Sequence, residues 1–324
     1  MRRQAARAYN ALARTRVGTI GRKIRLNRLV HITLRVGAVT YLRALYVKKF
    51  VMKSIAAMPH LRGNGAAFEV HMLLQHERIL EGTWALYSFQ HFSQAGAAIV
   101  IHDDGSLTGA DRSLLQALFS PISIVDRDKA DVECTDRLKV LGLSRLLNFR
   151  DSLVFALKMI DPVLMSRSEA VVIMDSDVLF FRQPTEVVSA VSVARAAYSE
   201  CCCYCYCASP ERLREIVGLT PIALFNPGVF ILDPRQISLE NWNEYLRYPD
   251  FWDADGMPNY YSELSLWACE MTRLGATPLP PSYQICAPEP ENAHFGHYCG
   301  GDSHHSALFY TRGIPFLQRA LMLR

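Results

Sequence analysis

Residues 170–181, AVVIMDSDVLFF, hold two carboxylates, Asp175 and Asp177, between five apolar residues and four more. An apolar run of this length is typical of a strand that is buried on both faces of a parallel sheet. Carboxylates at its end cost several kcal/mol unless they are paired, hydrogen-bonded or bound to a metal. Two carboxylates separated by a single residue can bind Mg²⁺ or Mn²⁺ and leave coordination positions for other oxygen ligands. The segment predicts a metal site, and the alternative is a turn capped by Asp.

Strands and helices are predicted to alternate along the rest of the chain. Alternation with such buried strands predicts an α/β fold built on an open, doubly wound, mostly parallel sheet. In these sheets ligands bind at the carboxyl ends of the strands, and the two acid pairs, 103–104 and 175–177, follow two of those ends. The predicted strands are 68–74, 97–102, 122–125 and 170–174, and the predicted helices are 82–92, 110–119 and 152–164.

The charge is divided unevenly along the 324 residues. Residues 1–68 contain fifteen Lys or Arg and no acid, whereas the remainder contains twenty Lys or Arg against thirty-one acids. We predict a basic amphipathic helical extension at 1–62, followed by one enzyme domain at 63–324. The apolar face of this helix either lies on an anionic membrane surface or packs on the body of the protein. That face consists of Leu29, Ile32, Val36, Val39, Leu42, Tyr46 and Phe50.

The N-terminal region has neither a membrane-spanning nor a secretory pattern. No stretch reaches the roughly 18 apolar residues of a spanning helix, and a compact apolar region with a cleavage site is missing. An Arg-rich start without acids also fits an organelle transit peptide. We expect a cytoplasmic protein, peripheral at the membrane. Nucleic-acid binding is not expected, because the basic region has few aromatics and the body is acidic.

Five of the nine cysteines fall in the segment CCCYCYC at 201–207. Alternate residues of a strand lie about 6.6 Å apart, whereas thiolates that share a tetrahedral zinc ion lie near ~3.8 Å from each other. We therefore predict a strand with free, buried thiols rather than a zinc site, in a reducing compartment. On that strand one face carries Cys203, Cys205 and Cys207, and the other carries Tyr204 and Tyr206.

The segment VVIMDSDVLFF, followed by RQP, resembles the D-x-D segment of retaining glycosyltransferases with the GT-A fold, near the glycogenin and galactosyltransferase group of family 8. The resemblance implies a GT-A (Rossmann-like) fold. It also implies transfer of a sugar from a nucleotide-diphosphate sugar to an acceptor hydroxyl, with retention. Mn²⁺ or Mg²⁺ would be bound by Asp175 and Asp177. The acceptor, whether a glycan, a lipid or a protein, is left open.

Further segments follow in the family's order. FNPGVF at 225–230 resembles the F-N-x-G-V segment beside the donor sugar, which implies roles for Asn226 and Gly228. HYCG at 297–300 resembles the C-terminal H-F-x-G segment, which implies that His297 is the third metal ligand and that Gly300 helps to bind the donor. His294 is the alternative third ligand.

Other implied roles lie beside two departures from the family pattern. Glu263 falls at the acceptor side, but Leu264 replaces the family's Gln, and Ser303 replaces a Lys that grips the diphosphate. Lys158 either faces the diphosphate or is an ordinary solvated lysine. Asp104 either accepts hydrogen bonds from the ribose or caps a turn. The replacements that we consider for the missing cation are His304, His305 and Arg312.

Two other functions compete with sugar transfer. A catalytically inactive relative could bind a sugar nucleotide or act as a membrane-associated scaffold, and the two departures favour this reading. A sugar nucleotidyltransferase would show a Gly-rich basic segment after the first strand, but residues 68–78, FEVHMLLQHER, contain no glycine.

Overall fold

A seven-stranded sheet organises the part of the protein that the computed structural model describes, which is residues 37–63, 68–299 and 304–322. The strands of these residues are β1 (Leu61–Arg62), β2 (Phe68–Leu74), β3 (Ala98–Asp103), β4 (Phe119–Ser120), β5 (Ile122–Val125), β6 (Ala170–Met174), β7 (Val178–Phe180), β8 (Ala197–Glu200), β9 (Phe225–Leu232), β10 (Thr277–Pro278), β11 (Tyr283–Ile285) and β12 (Phe295–His297). The strand order of the seven-stranded sheet is β10-β8-β9-β6-β2-β3-β5.

Most neighbouring strands of the large sheet are parallel, as the alternating pattern predicts. Strand β9 is the exception, because it runs antiparallel to both β6 and β8. A second sheet has three strands in the order β11-β12-β7, and its strand β7 follows β6 directly along the chain. Strand β12 pairs antiparallel with β7, with His297 opposite Val178. This pairing brings a residue near the C-terminus beside the segment that follows β6.

Helices connect the strands, and several have clear sequence signals at their ends. Thr108 and Asp111 form a capping box at the start of α3, which satisfies backbone N–H groups there. Ser209 caps α8, and Gly218 ends it with a φ of 79°, a conformation that favours glycine. The helices are α1 (Ala38–Tyr46), α2 (Ile79–Ser93), α3 (Gly109–Leu118), α4 (Arg127–Val140), α5 (Ser144–Ser152), α6 (Val154–Met165), α7 (Thr185–Ser192), α8 (Pro210–Val217), α9 (Leu239–Tyr245), α10 (Ser262–Arg273), α11 (His304–Leu308) and α12 (Ile314–Met322).

The central strand β6 is buried on both faces, as its uninterrupted apolar sequence predicts. Val172 and Met174 belong to one hydrophobic cluster, and Val171 and Ile173 belong to the other. The predicted bounds of β2, β5 and β6 are confirmed. The predicted helix 152–164 is the second of two helices, α5 and α6, which are separated at Leu153. Leu153 has an extended backbone (φ −126°, ψ 119°), so one continuous helix cannot form there.

The structure describes residues 37–62 of the predicted N-terminal helix. This segment is helical from Ala38 to Ala57, but Leu61–Arg62 form a strand that pairs with β4, so the prediction of helix through 62 is wrong at its end. Met52 and Ile55 are fully buried, in the hydrophobic cluster that also contains Val172 and Met174. The boundary between 62 and 63 stays a prediction. Residues 1–36, including Leu29, Ile32 and Val36, lie outside the described residues.

The apolar face that the sequence predicts at 39–50 is exposed. Val39 is 81% exposed and Phe50 58%, and Leu42 and Tyr46 are exposed as well. The residues of this segment that pack on the core are different ones, among them Val47 and Met52. In the described part of the chain, no helix is long and apolar enough to cross a membrane.

The segment 201–207 is not a strand, so the predicted strand is wrong, and so is the predicted alternation of cysteines and tyrosines on its two faces. Strand β8 ends at Glu200, and the following residues form bends without regular structure. Cys202 and Cys203 are exposed, whereas Tyr206 is buried. The chain leaves the sheet here because β9, the partner of β8, begins opposite Glu200 at Phe225. Beyond this point the segment bends, and its side chains do not alternate between buried and exposed positions.

Candidate active site

A cleft opens at the carboxyl end of β6, with a cavity volume of about 360 Å³. This size falls in the range of sites for small molecules and cofactors. Polar and charged side chains converge in the cleft from strands and helices far apart in sequence. They are Arg78, Asp104, Lys158, Asp175, Asp177, Asn226, Glu263 and His297.

Asp175, Asp177 and His297 form the centre of the cleft. Each offers a ligand atom within 4.8 Å of the others. The Nε2 of His297 lies 3.1 Å from the Oδ1 of Asp177 and 3.7 Å from the Oδ2 of Asp175. Backbone bonds hold the group, because the Asp175 N–H donates to the Gly228 carbonyl and the Tyr298 N–H to the Asp177 carbonyl. Two carboxylates and an imidazole are together a suitable ligand set for a divalent cation.

His294, the alternative third ligand, does not join this group. Its ring lies parallel to that of Tyr283, with 6.2 Å between the ring centres. Its backbone carbonyl accepts a hydrogen bond from Phe181. Of the two histidines, the structure brings only His297 to the two aspartates.

Asn226 sets the orientation of His297. Its Oδ1 accepts a hydrogen bond from the Gly228 N–H at 2.9 Å, so this atom is an acceptor. The same Oδ1 lies 2.8 Å from the Nδ1 of His297, which must therefore carry the proton. Burial favours the neutral imidazole, but the charges of Asp177 and Asp175 raise the pKa of His297 above its usual value. In the neutral form, which is the one that binds a metal, the Nε2 presents its lone pair toward the aspartates. This arrangement is the one that metal-binding histidines usually have, with the other ring nitrogen donating to a protein oxygen.

Gly228 leaves the room that this contact needs. A Cβ at position 228 would overlap the Nδ1 of His297 and would lie 2.7 Å from the Oδ1 of Asn226. Only glycine at position 228 therefore allows the backbone of β9 to approach the imidazole so closely. The F-N-x-G pattern therefore has a physical reason in this chain.

Lys158 and Glu263 form the buried wall beside the aspartates. The Nζ of Lys158 donates to the Oδ1 of Asp175 at 2.6 Å and to the Pro227 carbonyl at 3.3 Å. It lies 3.8 Å from the Oε1 of Glu263. The side chains of Lys158 and Glu263 are almost completely buried. The interpretation of Lys158 as an ordinary solvated lysine is therefore wrong, because its ammonium group faces the cleft.

Burial and neighbouring charges shift the ionisation of these groups. Burial favours the neutral form of Lys158, but the charges of Asp175 and Glu263 raise its pKa above the usual value. Burial raises the pKa of Glu263 to about 7, even though Lys158 opposes this shift. Burial also tends to raise the pKa of Asp177, but the adjacent His297 holds it below its usual value.

Asp104 lies at the rim of the cleft and also caps a turn. Its Oδ1 accepts hydrogen bonds from the backbone N–H of Ser106, at 3.0 Å, and from the Ser106 hydroxyl. The capping interpretation is therefore correct, and it leaves the second carboxylate oxygen for other partners. Leu264 also lines the cleft, next to Glu263.

Positions 300–303 lie outside the described residues, so the structure gives no location for Gly300 or Ser303. The side chain of His304 is also outside them. Among the described residues that line the cleft, neither His305 nor Arg312 occurs.

Arg78 is a cation of the cleft that the sequence analysis missed. It follows β2 on a short 3-10 turn, and its charge contributes to holding the pKa of Asp177 low. The Nη1 of Arg78 lies 3.6 Å from Glu81. The sequence position of Arg78 could have indicated this role, because it follows β2, which runs parallel to β6. The carboxyl ends of these strands meet at one edge of the sheet.

Three exposed aromatic side chains lie at the mouth of the cleft. Phe155, Tyr260 and Tyr261 line it and are each more than 40% exposed. The rings of Phe155 and Tyr260 meet edge to face, with 5.9 Å between their centres. Exposed aromatic groups clustered around a pocket usually mark a binding surface.

Comparison with known proteins identifies the fold. No known protein family matches the sequence, and no curated protein matches it either. Among solved structures, the galactosyltransferase LgtC in complex with donor and acceptor sugar analogues is similar, with a TM-score of 0.52 and 14% identity over 79% of this chain and 95% of that one. Mouse xyloside xylosyltransferase 1, in its apo form, has a TM-score of 0.48 and 11% identity over 71% of this chain and 96% of that one. The chain has the mixed α/β architecture of the GT-A glycosyltransferases, built on a mostly parallel sheet.

Proposed function

We propose that this protein is a metal-dependent glycosyltransferase that moves a sugar from a nucleotide-diphosphate sugar to an acceptor hydroxyl, with retention. The observation that carries the proposal is the group of Asp175, Asp177 and His297 within 4.8 Å of one another. This group lies at the carboxyl end of a central strand, where α/β proteins bind their ligands. The similarity to LgtC in fold, and the D-x-D resemblance in sequence, support the same class of reaction.

The residues present fit a divalent cation. Carboxylates suit Mg²⁺ and Mn²⁺, whereas an imidazole ligand suits transition metals. The mixture of Asp175, Asp177 and His297 therefore favours Mn²⁺. When bound, such an ion neutralises charge on the diphosphate and orients it, as a Lewis acid and template.

Two cations of the chain would complete the diphosphate site. Lys158 and Arg78 both line the cleft, and fixed positive charges there stabilise negative charge that develops on a leaving phosphate. Arg78 would take the place of the lysine that the family carries near position 303. Asp104, on the next strand end, would accept hydrogen bonds from the ribose.

The sugar and the attacking hydroxyl would lie in the cleft beside Glu263. A carboxyl group with a pKa of about 7 can donate to or accept from a sugar hydroxyl near neutral pH. With retention, the acceptor hydroxyl attacks on the side of the leaving group, whose phosphate oxygen takes the proton. Asn226 would act by positioning His297 and by lining the pocket of the donor sugar.

The acceptor is proposed to carry a sugar ring. Phe155, Tyr260 and Tyr261 offer exposed aromatic faces at the cleft mouth, which suit the apolar face of a pyranose. A glycan or a glycolipid would place such a ring there.

A panel of nucleotide sugars tests this function. With Mn²⁺ present, one donor should raise the unfolding temperature, since a ligand that binds the folded state stabilises it, and that donor should be turned over when acceptor is added. Asp177→Asn should abolish both effects. Asp151→Asn, an exposed acid on α5, is the matched control and should behave as wild type. A donor that binds with Mn²⁺ but is neither hydrolysed nor transferred would instead identify an inactive sugar-nucleotide-binding relative.

We further propose that the extension 1–62 binds an anionic membrane surface from the cytoplasmic side. Val39, Leu42, Tyr46 and Phe50 expose their apolar side chains, and residues 1–68 carry fifteen basic residues and no acid. Apolar groups flanked by cations bind anionic lipid surfaces. Vesicles with phosphatidylserine should sediment with the protein and vesicles of phosphatidylcholine alone should not. A Leu42→Asp/Phe50→Asp variant that still sediments would contradict the proposal.

A further inference from the structure

Six cysteines from three separate segments form a cluster beside the cleft. The Sγ atoms make a continuous series of contacts, from Cys205 to Cys203 at 3.3 Å and from Cys203 to Cys202 at 3.8 Å. The series continues from Cys202 to Cys286 at 2.8 Å and from Cys286 to Cys299 at 3.5 Å. The sixth thiol, Cys201, lies within 4.8 Å of those of Cys203 and Cys205.

The bends at 201–207 remove the geometric objection to a shared metal ion. Thiolates around a tetrahedral zinc ion lie about 3.8 Å apart, given Zn–S bonds of ~2.3 Å. Cys201, Cys203 and Cys205 each place a sulfur within 4.8 Å of the other two. An extended strand would hold alternate side chains about 6.6 Å apart, whereas this segment folds them together.

Cys286, which reaches the cluster from a different part of the chain, has a strained backbone. Cys286 has a φ of +72°, which is unusual for a residue other than glycine and persists only where the surroundings fix it. Its N–H donates to the His297 carbonyl at 2.9 Å. This conformation directs the Cys286 thiol to contacts with both Cys202 and Cys299. The contact with Cys202 joins Cys286 to the cysteines of the 201–207 segment.

We propose that Cys201, Cys203 and Cys205 bind one Zn²⁺ ion, with a solvent molecule as the fourth ligand. Each thiol releases its proton to solvent as its Zn–S bond forms, and no oxidant or reductant is needed. Thiolates select soft metals, while the two aspartates and His297 suit Mn²⁺ or Mg²⁺. The protein would therefore hold two different metals at two neighbouring sites.

The position of the cluster indicates what the zinc would do. The Nδ2 of Asn226 lies 3.9 Å from the Sγ of Cys201, and Asn226 orients His297. Cys201 and Cys205 also line the cleft. Zinc would therefore fix the wall that carries the Asn226–His297 contact. The function proposed above is not needed for this assignment, because the site is defined by sulfur atoms alone.

Metal analysis of the full-length protein, purified with a thiol reductant and Zn²⁺, tests the assignment. We expect about one zinc per chain, and Co²⁺ in its place should give a thiolate-to-metal charge-transfer absorption. Cys203→Ser and Cys205→Ser should each weaken zinc binding by roughly tenfold or more, since replacing residues that only orient a metal ligand already costs about 10–100-fold. Asp175→Asn/Asp177→Asn should keep the charge-transfer band, which separates this site from the other.

Cys207→Ser is the matched control, because Cys207 belongs to the same segment but not to the sulfur group. It should bind zinc as wild type does. Far-ultraviolet circular dichroism would check that each variant is folded. A wild-type protein without zinc and without the cobalt band would overturn the proposal. So would a folded Cys203→Ser variant that binds zinc normally, or thiols that pair as disulfides under these conditions.

Discussion

The Nδ1 of His297 donates a hydrogen bond to the Oδ1 of Asn226 at 2.8 Å, and the same oxygen accepts the Gly228 N–H. The amide of Asn226 thereby fixes both the tautomer and the direction of the imidazole. Asn226, 71 positions earlier in the chain, thus directs the Nε2 of His297 toward the Oδ1 of Asp177, which lies 3.1 Å away. The proposed metal site thus depends on a residue that is not a ligand itself.

Replacing Asn226 should weaken the metal site without unfolding the protein. Loss of a partner that orients a metal ligand usually costs about 10–100-fold in metal affinity, so Asn226→Ala should raise the dissociation constant for Mn²⁺ by that factor. Asn226→Asp keeps an oxygen acceptor and should restore most of the affinity. Isothermal titration with Mn²⁺ measures both, with the exposed Asn292→Ala as control. An unchanged affinity in Asn226→Ala would rule out the positioning role.

Gly228→Ala should disturb the same contact by steric overlap. Its Cβ would meet the Nδ1 of His297 and the Oδ1 of Asn226, and overpacking of this kind costs about 1–3 kcal/mol. We expect a loss of unfolding free energy in that range together with weaker Mn²⁺ binding. Gly109→Ala is the control, because a Cβ there meets nothing within 4 Å. Equal stability of the two variants in urea unfolding would contradict the predicted overlap.

The sequence predicts the parts of the site that depend on local pattern. Strand β6 and its two aspartates are recognisable because five apolar residues and four more surround the acids. His297 and Asn226 could be named only through the family resemblance, since no local rule places residues so distant on one metal site. The pairing of β12 with β7, which brings His297 to Asp177, is a tertiary feature.

The positions of Arg78 and of the cysteine cluster could not be predicted from local sequence pattern. Arg78 lies 99 positions before Asp177, on a short turn that the sequence analysis did not assign. The cysteines were interpreted with the geometry of a strand, but the strand ends at Glu200. Cys286 then reaches the cluster through a left-handed backbone that its residue type does not favour.

Arg78→Ala should weaken donor binding and leave metal binding intact. Its guanidinium lines the cleft but is not among the metal-binding atoms. Loss of one charge-assisted contact to a phosphate is expected to cost about tenfold in affinity. Titration with UDP or another nucleoside diphosphate in the presence of Mn²⁺ would detect the change. Arg167→Ala, exposed before the other end of β6, should have no effect, and equal affinities for both variants would remove Arg78 from the site.

Lys158→Met should lower turnover more than it affects donor binding. The ammonium group contacts Asp175 and Glu263, and a fixed charge that stabilises a leaving group contributes about 10²–10³ in kcat. Lys158→Arg keeps the charge and should recover part of the loss. Steady-state kinetics of both variants, with exposed Lys139→Met as control, separates kcat from KM. A Lys158→Met enzyme that retains wild-type kcat would show that Lys158 serves stability alone.

Glu69 should make the fold sensitive to acid. Its Oε2 accepts hydrogen bonds from the Ser166 hydroxyl at 2.7 Å and the Arg167 N–H at 3.0 Å, and it lies 3.1 Å from His71. Burial raises the pKa of Glu69, but these bonds outweigh it and lower the pKa to about 2. A carboxyl group whose pKa is lower in the folded state stabilises the fold above its unfolded pKa of ~4.3 and loses that effect as the pH falls toward 2.

Glu69→Gln should therefore be less stable than the wild type at neutral pH, by about 1.5–3 kcal/mol, the range for hydrogen bonds to charged groups. The difference should shrink steadily below pH ~4.3, because the wild-type carboxylate then gains a proton on unfolding. Urea unfolding of both proteins between pH 3 and pH 7 measures it. Glu289→Gln, exposed and outside β2, should follow the wild-type curve throughout. A constant difference between Glu69→Gln and wild type over this range would mean that the ionised carboxylate contributes nothing, and that the loss comes from packing.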